Sequence, residues 1–121
     1  MARSRRIVVG YDGSDAGRRA LQAAADLVGY GSTLAVVTVQ TGPTSGSVAR
    51  EARDLLLRRQ VQARYLEPSG EPGEQLVESA RELRADLVVV GNRSPGSLRP
   101  LLGSVSSTVV RGAPCDVLVV R

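Results

Sequence analysis

Asp86-Leu87-Val88-Val89-Val90-Gly91, then Asn92-Arg93-Ser94-Pro95-Gly96-Ser97-Leu98-Arg99-Pro100-Leu101-Leu102, then Gly103-Ser104-Val105-Ser106-Ser107, is the stretch that decides the fold. The first piece is a short apolar run ending in glycine, the pattern of a strand buried on both faces of a parallel sheet. The last piece opens a short helix, and Asp116-Val117-Leu118-Val119-Val120-Arg121 supplies a further apolar strand. Between them lies a loop rich in glycine, serine and proline with two arginines. Glycines let a backbone approach a ligand, a helix start offers unpaired N–H groups, and arginine adds positive charge. That combination favours a phosphate.

Working outward, Arg6-Ile7-Val8-Val9-Gly10 reads as a first strand, turned over by Tyr11-Asp12-Gly13-Ser14. Ser14 or Asp12 then caps a helix running to about Val28. Ala20, Leu21, Ala24, Leu27 and Val28 share one face of it, and Gly29 and Gly31 close it. Leu34–Val39 is a second strand, and Ser47–Gln60 a helix with Val48, Ala52, Leu55 and Leu56 inward. Val61–Leu66 alternates apolar and polar, which predicts an edge strand. A turn over Pro68–Pro72 leads to a helix from Pro72 to Arg84, with Leu76, Val77, Ala80 and Leu83 inward. Five strands alternating with four helices predict an α/β, doubly wound parallel sheet with helices on both faces. Ligands in such sheets sit beyond the carboxyl ends of the strands, where strand order reverses. The glycine-ended strands at Gly10 and Gly91 deliver their loops there.

The 121 residues, 42% hydrophobic and 23% charged, are expected to form a single domain spanning 1–121. No apolar run approaches the roughly 18 to 20 residues of a membrane span. In the opening Met1–Arg6, Arg3, Arg5 and Arg6 are expected to flank the first strand rather than to begin a targeting sequence. A single cysteine excludes an intrachain disulfide, and a cytoplasmic setting is expected. Cys115, after a proline and before an apolar strand, reads as packing rather than redox chemistry. The net charge of +4 raises nucleic acid as a partner, but acids interleave with the arginines and the three tyrosines have no phenylalanine or tryptophan beside them. A solvated mixed-charge surface is the better reading. With no histidine there is no Ser-His-Asp triad and no histidine metal site. With no lysine there is no P-loop. Asp12 and Asp15 form an acidic pair of the kind found in phospho-accepting receiver domains. Those also need an aspartate after the third strand and a later lysine, which this chain lacks.

Four segments together resemble the universal stress protein family over essentially the whole chain: Ile7–Ser14, Gly91-Asn92-Arg93-Ser94, Gly103–Ser107 and Ala113–Val120. The resemblance implies strand order 3-2-1-4-5, which places the alternating third strand at an edge. Nucleotide-binding members carry a glycine, two residues, a second glycine, nine residues, then glycine with serine or threonine. Gly91 matches the first glycine and Gly103-Ser104 the closing pair; Ser94 stands at the second glycine, and eight residues separate it from Gly103. Ser94 still offers an N–H and a hydroxyl. The resemblance implies that Asp12 lies over the ribose or a metal such as Mg²⁺, that Gly10 and Tyr11 border the base, and that the Val39 backbone reads the adenine edge. It also implies that Arg93, Ser94, Gly103, Ser104 and Ser106 meet phosphate or ribose.

Each of these has a structural alternative. The loop from Gly91 to Ser106 is long for a plain connection, which favours a ligand site. Asp12 is either a turn residue or a cleft carboxylate. The expected function is a small cytoplasmic stress-response protein that binds ATP or AMP as a sensor or regulator. It is not expected to be an enzyme, because no general base or nucleophile stands beside the loop. The competing reading is a dimeric interaction module without nucleotide; an ATPase using Asp12 and a metal is a weaker third. The last strand, with Val117, Leu118, Val119 and Val120 leaving no polar face, predicts a homodimer in which it meets its own copy.

Overall fold

A computed structural model describes residues 4–29, 31–92 and 102–121. The elements run β1 (Arg6–Gly10), α1 (Asp15–Leu27), β2 (Thr33–Val37), α2 (Ser45–Arg58), β3 (Arg64–Leu66), α3 (Pro72–Glu82), β4 (Leu87–Gly91), α4 (Ser104–Gly112) and β5 (Asp116–Val120). All neighbouring strands pair in parallel, in the order β3-β2-β1-β4-β5. The expected doubly wound α/β fold and strand order are both present.

Alternation within the strands divides the core between two faces. Ile7 and Val9 of β1 with Leu87 and Val89 of β4 face α1 and α2, where Ala20, Leu21, Ala24, Ala52 and Leu56 meet them. Val8, Val88 and Val90 face the other way, against Leu76, Val77, Ala80 and Val109 of α3 and α4. The central strands are therefore apolar at nearly every position, which is why the sequence shows runs there rather than alternation. Each fully buried valine contributes about 1.5 to 3 kcal/mol. Polar contacts fix the register at the strand starts: the Asp86 N–H donates to Arg6 O at 2.7 Å, and Asp86 Oδ2 accepts the Arg6 N–H at 2.8 Å.

Several boundaries differ from the sequence reading: β2 ends at Val37 rather than Val39, α2 at Arg58 rather than Gln60, and α3 at Glu82 rather than Arg84. β3 begins at Arg64 rather than Val61. Val61 and Ala63 pack on the core without joining the ladder, because Gln60 takes a left-handed φ of 58° and the chain turns before it can pair. α2 begins at Ser45 rather than Ser47, since the Ser45 hydroxyl accepts the N–H groups of Thr41 and Gly42 and winds the chain early. Ser14 is the cap of α1, its Oγ accepting the Gly17 N–H at 3.0 Å.

Candidate functional site

β1 pairs with β2 on one side and β4 on the other, so the loops leaving β1 and β4 diverge and leave a crevice at their carboxyl ends. A cavity of about 520 Å³ lies there. Gly10, Tyr11, Asp12, Val39, Gly91, Gly103, Ser104 and Ser106, all picked out from the sequence, line it. Arg93 and Ser94 lie outside the described residues, as does Arg99. The cavity also takes Thr41, Pro72 and Leu76, which sequence reasoning missed as site residues. Leu76 read as a core residue, and it is one, 4% exposed; apolar periodicity does not separate a core position from a cavity wall. At Gly10 space is the requirement: a Cβ would come 2.8 Å from Leu76 Cδ1.

Three helices start at this cavity, and their first turns are satisfied differently. In α1, Asp12 Oδ1 accepts from the Ser14 N–H at 2.9 Å and its hydroxyl at 2.6 Å, and Ser14 in turn caps the helix. Asp12 is thus both a turn residue and a carboxylate on the cavity wall. In α3, the Glu71 carboxylate accepts from Gly73 and Glu74, consuming the first amides. In α4, Gly103 occupies the cap position and no described side chain caps the first-turn amides. The amides of Ser104, Val105 and Ser106 have no partner among the described residues, and all three residues line the cavity. Unpaired amides at a helix start attract anions. Ser106 is 1% exposed, and its hydroxyl spends its proton within the fold, donating to Gly91 O at 3.1 Å.

Val37, Val39, Pro72, Leu76 and Val90 add apolar side chains to the lining. Tyr11 N–H to Val37 O, at 3.0 Å, is the last bond between β1 and β2. The main-chain N–H and C=O of Val39 lie beyond it and find no partner among the described residues. A donor and an acceptor on one residue, beside apolar side chains, suit the edge of a heterocyclic base.

Tyr11 lines the cavity, yet its side chain is 2% exposed and packs in the α1–α2 side of the core. Its hydroxyl donates to Glu51, which also meets Arg18 at 3.3 Å; Arg18 pairs with Asp15 at 2.8 Å. Burial, then the hydrogen bond to Glu51 and its charge, hold the Tyr11 hydroxyl protonated well above the usual tyrosine range. Tyr11 therefore braces the floor through β1, α1 and α2. Cys115 is half-buried, and burial followed by Asp116 and Asp86 pushes its thiol up, away from thiolate chemistry. Among the described residues no three histidine, cysteine or acidic side chains are placed to hold a metal. No described helix is long and apolar enough to cross a membrane.

These features fit what comparison with known proteins finds. The universal stress protein family model matches residues 3–68 and 49–121. A Thermus aquaticus protein, named Universal stress protein in QAH/OAS sulfhydrylase 3'region, is 32% identical over 95% of this chain and 97% of its own length. The crystal structure of a universal stress protein in complex with cAMP superposes with a TM-score of 0.84 at 33% identity, covering 99% of this chain and 98% of that one. The Archaeoglobus fulgidus universal stress protein in complex with dAMP shares the fold, with a TM-score of 0.68 at 24% identity over the whole of both chains. The chain belongs to the universal stress protein family.

Proposed function

We propose that the cavity binds an adenine nucleotide and that the protein acts as a cytoplasmic stress-response sensor or regulator rather than as a catalyst. The base lies against Val37, Val39, Pro72 and Leu76, its edge meeting the Val39 main chain, and the phosphate sits at the first turn of α4. The observation that carries the reading is that one cavity combines α4 amides and a Val39 backbone that have no partner among the described residues. The neighbour solved with cAMP supports the ligand class. AMP, ATP and cyclic AMP all present adenine and phosphate, and titration ranks them. Any Mg²⁺ entering with a triphosphate would meet Asp12, as such ions use one or two carboxylates beside phosphate oxygens. Arg93 and the backbone of Ser94 are assigned to the phosphate.

The test is calorimetric titration of wild type, Gly103→Val and Arg93→Ala. Loss of a charge-assisted contact at Arg93 is expected to weaken binding about tenfold to a hundredfold. Gly103→Val crowds the phosphate with a branched side chain. Unchanged affinity in both variants rejects the site. Wild type that binds nothing at millimolar nucleotide favours the alternative, an interaction module of the same family.

We also propose a homodimer through β5. That strand pairs only with β4 among the described strands, and Leu118 on it is 38% exposed. Val117, Leu118, Val119 and Val120 give the edge no polar face, with Asp116 and Arg121 at its ends able to pair across a twofold axis.

A further inference from the structure

The connection between β4 and α4 has its two feet tied together by side chains. Asn92 is held to β5 through its own N–H, which donates to Val120 O at 2.7 Å. Its side-chain Oδ1 reaches across to accept the Gly103 N–H at 2.9 Å, eleven residues on. The Ser106 hydroxyl makes the second tie, to Gly91 O. In a capping box, a side chain within the helix reaches back to the N–H of the cap residue. Here that same N–H is taken by a side chain from the end of a strand. The consequence separates α4 from its neighbours: α1 and α3 spend first-turn amides on Ser14 and Glu71, whereas the start of α4 is fixed with the Ser104, Val105 and Ser106 amides taken by none of the described residues.

We propose that Asn92 is a positioning residue for the phosphate: it anchors the α4 start to the sheet by a neutral acceptor, aiming the first-turn amides into the cavity without consuming them. The inference rests on the nucleotide reading above. Neutrality is part of it. An aspartate would accept the same Gly103 N–H, and so hold the helix, but would set a negative charge beside the incoming anion.

The experiment compares AMP with adenosine, which keeps the base and ribose and lacks the phosphate, in wild type, Asn92→Ala and Asn92→Asp. Asn92→Ala is expected to weaken AMP about tenfold while changing adenosine less than about twofold. Asn92→Asp is expected to weaken AMP further, more so at low salt, again sparing adenosine. Wild-type AMP affinity in either variant overturns the proposal, as does an equal loss for adenosine and AMP, the mark of a general structural role. Should Asn92→Ala fail to fold, Asn92→Asp retains the acceptor and decides alone. Wild type that binds neither ligand rejects the nucleotide reading itself, and the inference with it, before any variant is compared.

Discussion

Replacing Gly91 with alanine probes the contact on which both the fold and the cavity depend. A Cβ there would overlap the Ala16 carbonyl oxygen, lie 2.5 Å from the Ala16 carbonyl carbon and 2.9 Å from the Gly17 nitrogen. All three are main-chain atoms of α1, so no rotamer change relieves the clash. Ordinary carbon contacts sit near 3.5 to 4.0 Å, so α1 must retreat by about 1 Å. The helix packs through Ala16, Gly17, Ala20, Ala24 and Ala25, small residues that permit its close approach, together with Leu21. A gap of about 1 Å forfeits a quarter to a half of each contact. The expected cost is about 3 kcal/mol, at the upper end for overpacking, a large share of a typical stability of about 5 to 15 kcal/mol. In urea, with a slope of about 1.5 kcal/mol per molar, the midpoint should fall by about 2 M. Ser14 and Gly17 line the cavity, so the same retreat should weaken nucleotide binding. A variant with a wild-type midpoint would show that the β4–α1 contact is not as close as described.

Thr38 is 3% exposed and its hydroxyl has no partner among the described residues, so Thr38→Val should stabilise the fold by about 1 kcal/mol in urea denaturation; a loss of stability would reveal a hidden partner. Arg84 holds a left-handed φ of 52° just beyond α3, where glycine is preferred, so Arg84→Gly should stabilise by about 1 kcal/mol in the same assay, and a destabilised variant would contradict that geometry. The Tyr11 hydroxyl has its folded pKa raised while unfolded tyrosine ionises near about 10. The unfolded state therefore releases its proton first, and stability is retained below about pH 10 and lost as pH climbs above it. Tyr11→Phe should flatten that alkaline fall in pH-dependent melts; an unchanged profile would exclude Tyr11 as its source. Val119→Lys should turn a dimeric wild type monomeric by light scattering at micromolar concentration, and a monomeric wild type or a dimeric variant would defeat the β5 interface.

Where one physical signal dominated, the sequence was legible. β1, β4 and β5 are apolar runs with sharp ends and were placed to within a residue. β3 was overextended because Val61 and Ala63 are apolar for packing, and alternation does not reveal whether a residue also hydrogen bonds in a ladder. The cavity residues contributed by β1, β4 and α4 were readable because glycines and serines cluster there at strand ends and at a helix start. Thr41, Pro72 and Leu76 were not, since they arrive from the segment after β2 and from α3 and carry ordinary loop or core character. Asn92 passed as a spacer within Gly91–Ser94; its role depends on meeting Gly103 in space, which spacing alone does not encode.

The central claim is that the cavity beyond β1 and β4 holds an adenine nucleotide. Its most direct test is to denature the purified protein, identify any nucleotide released, and titrate the emptied, refolded protein with AMP, ATP and cyclic AMP. Saturable one-to-one binding of at least one of them is expected, with inosine counterparts weaker if the Val39 backbone meets the adenine edge as proposed. No release and no binding up to millimolar concentration would contradict it.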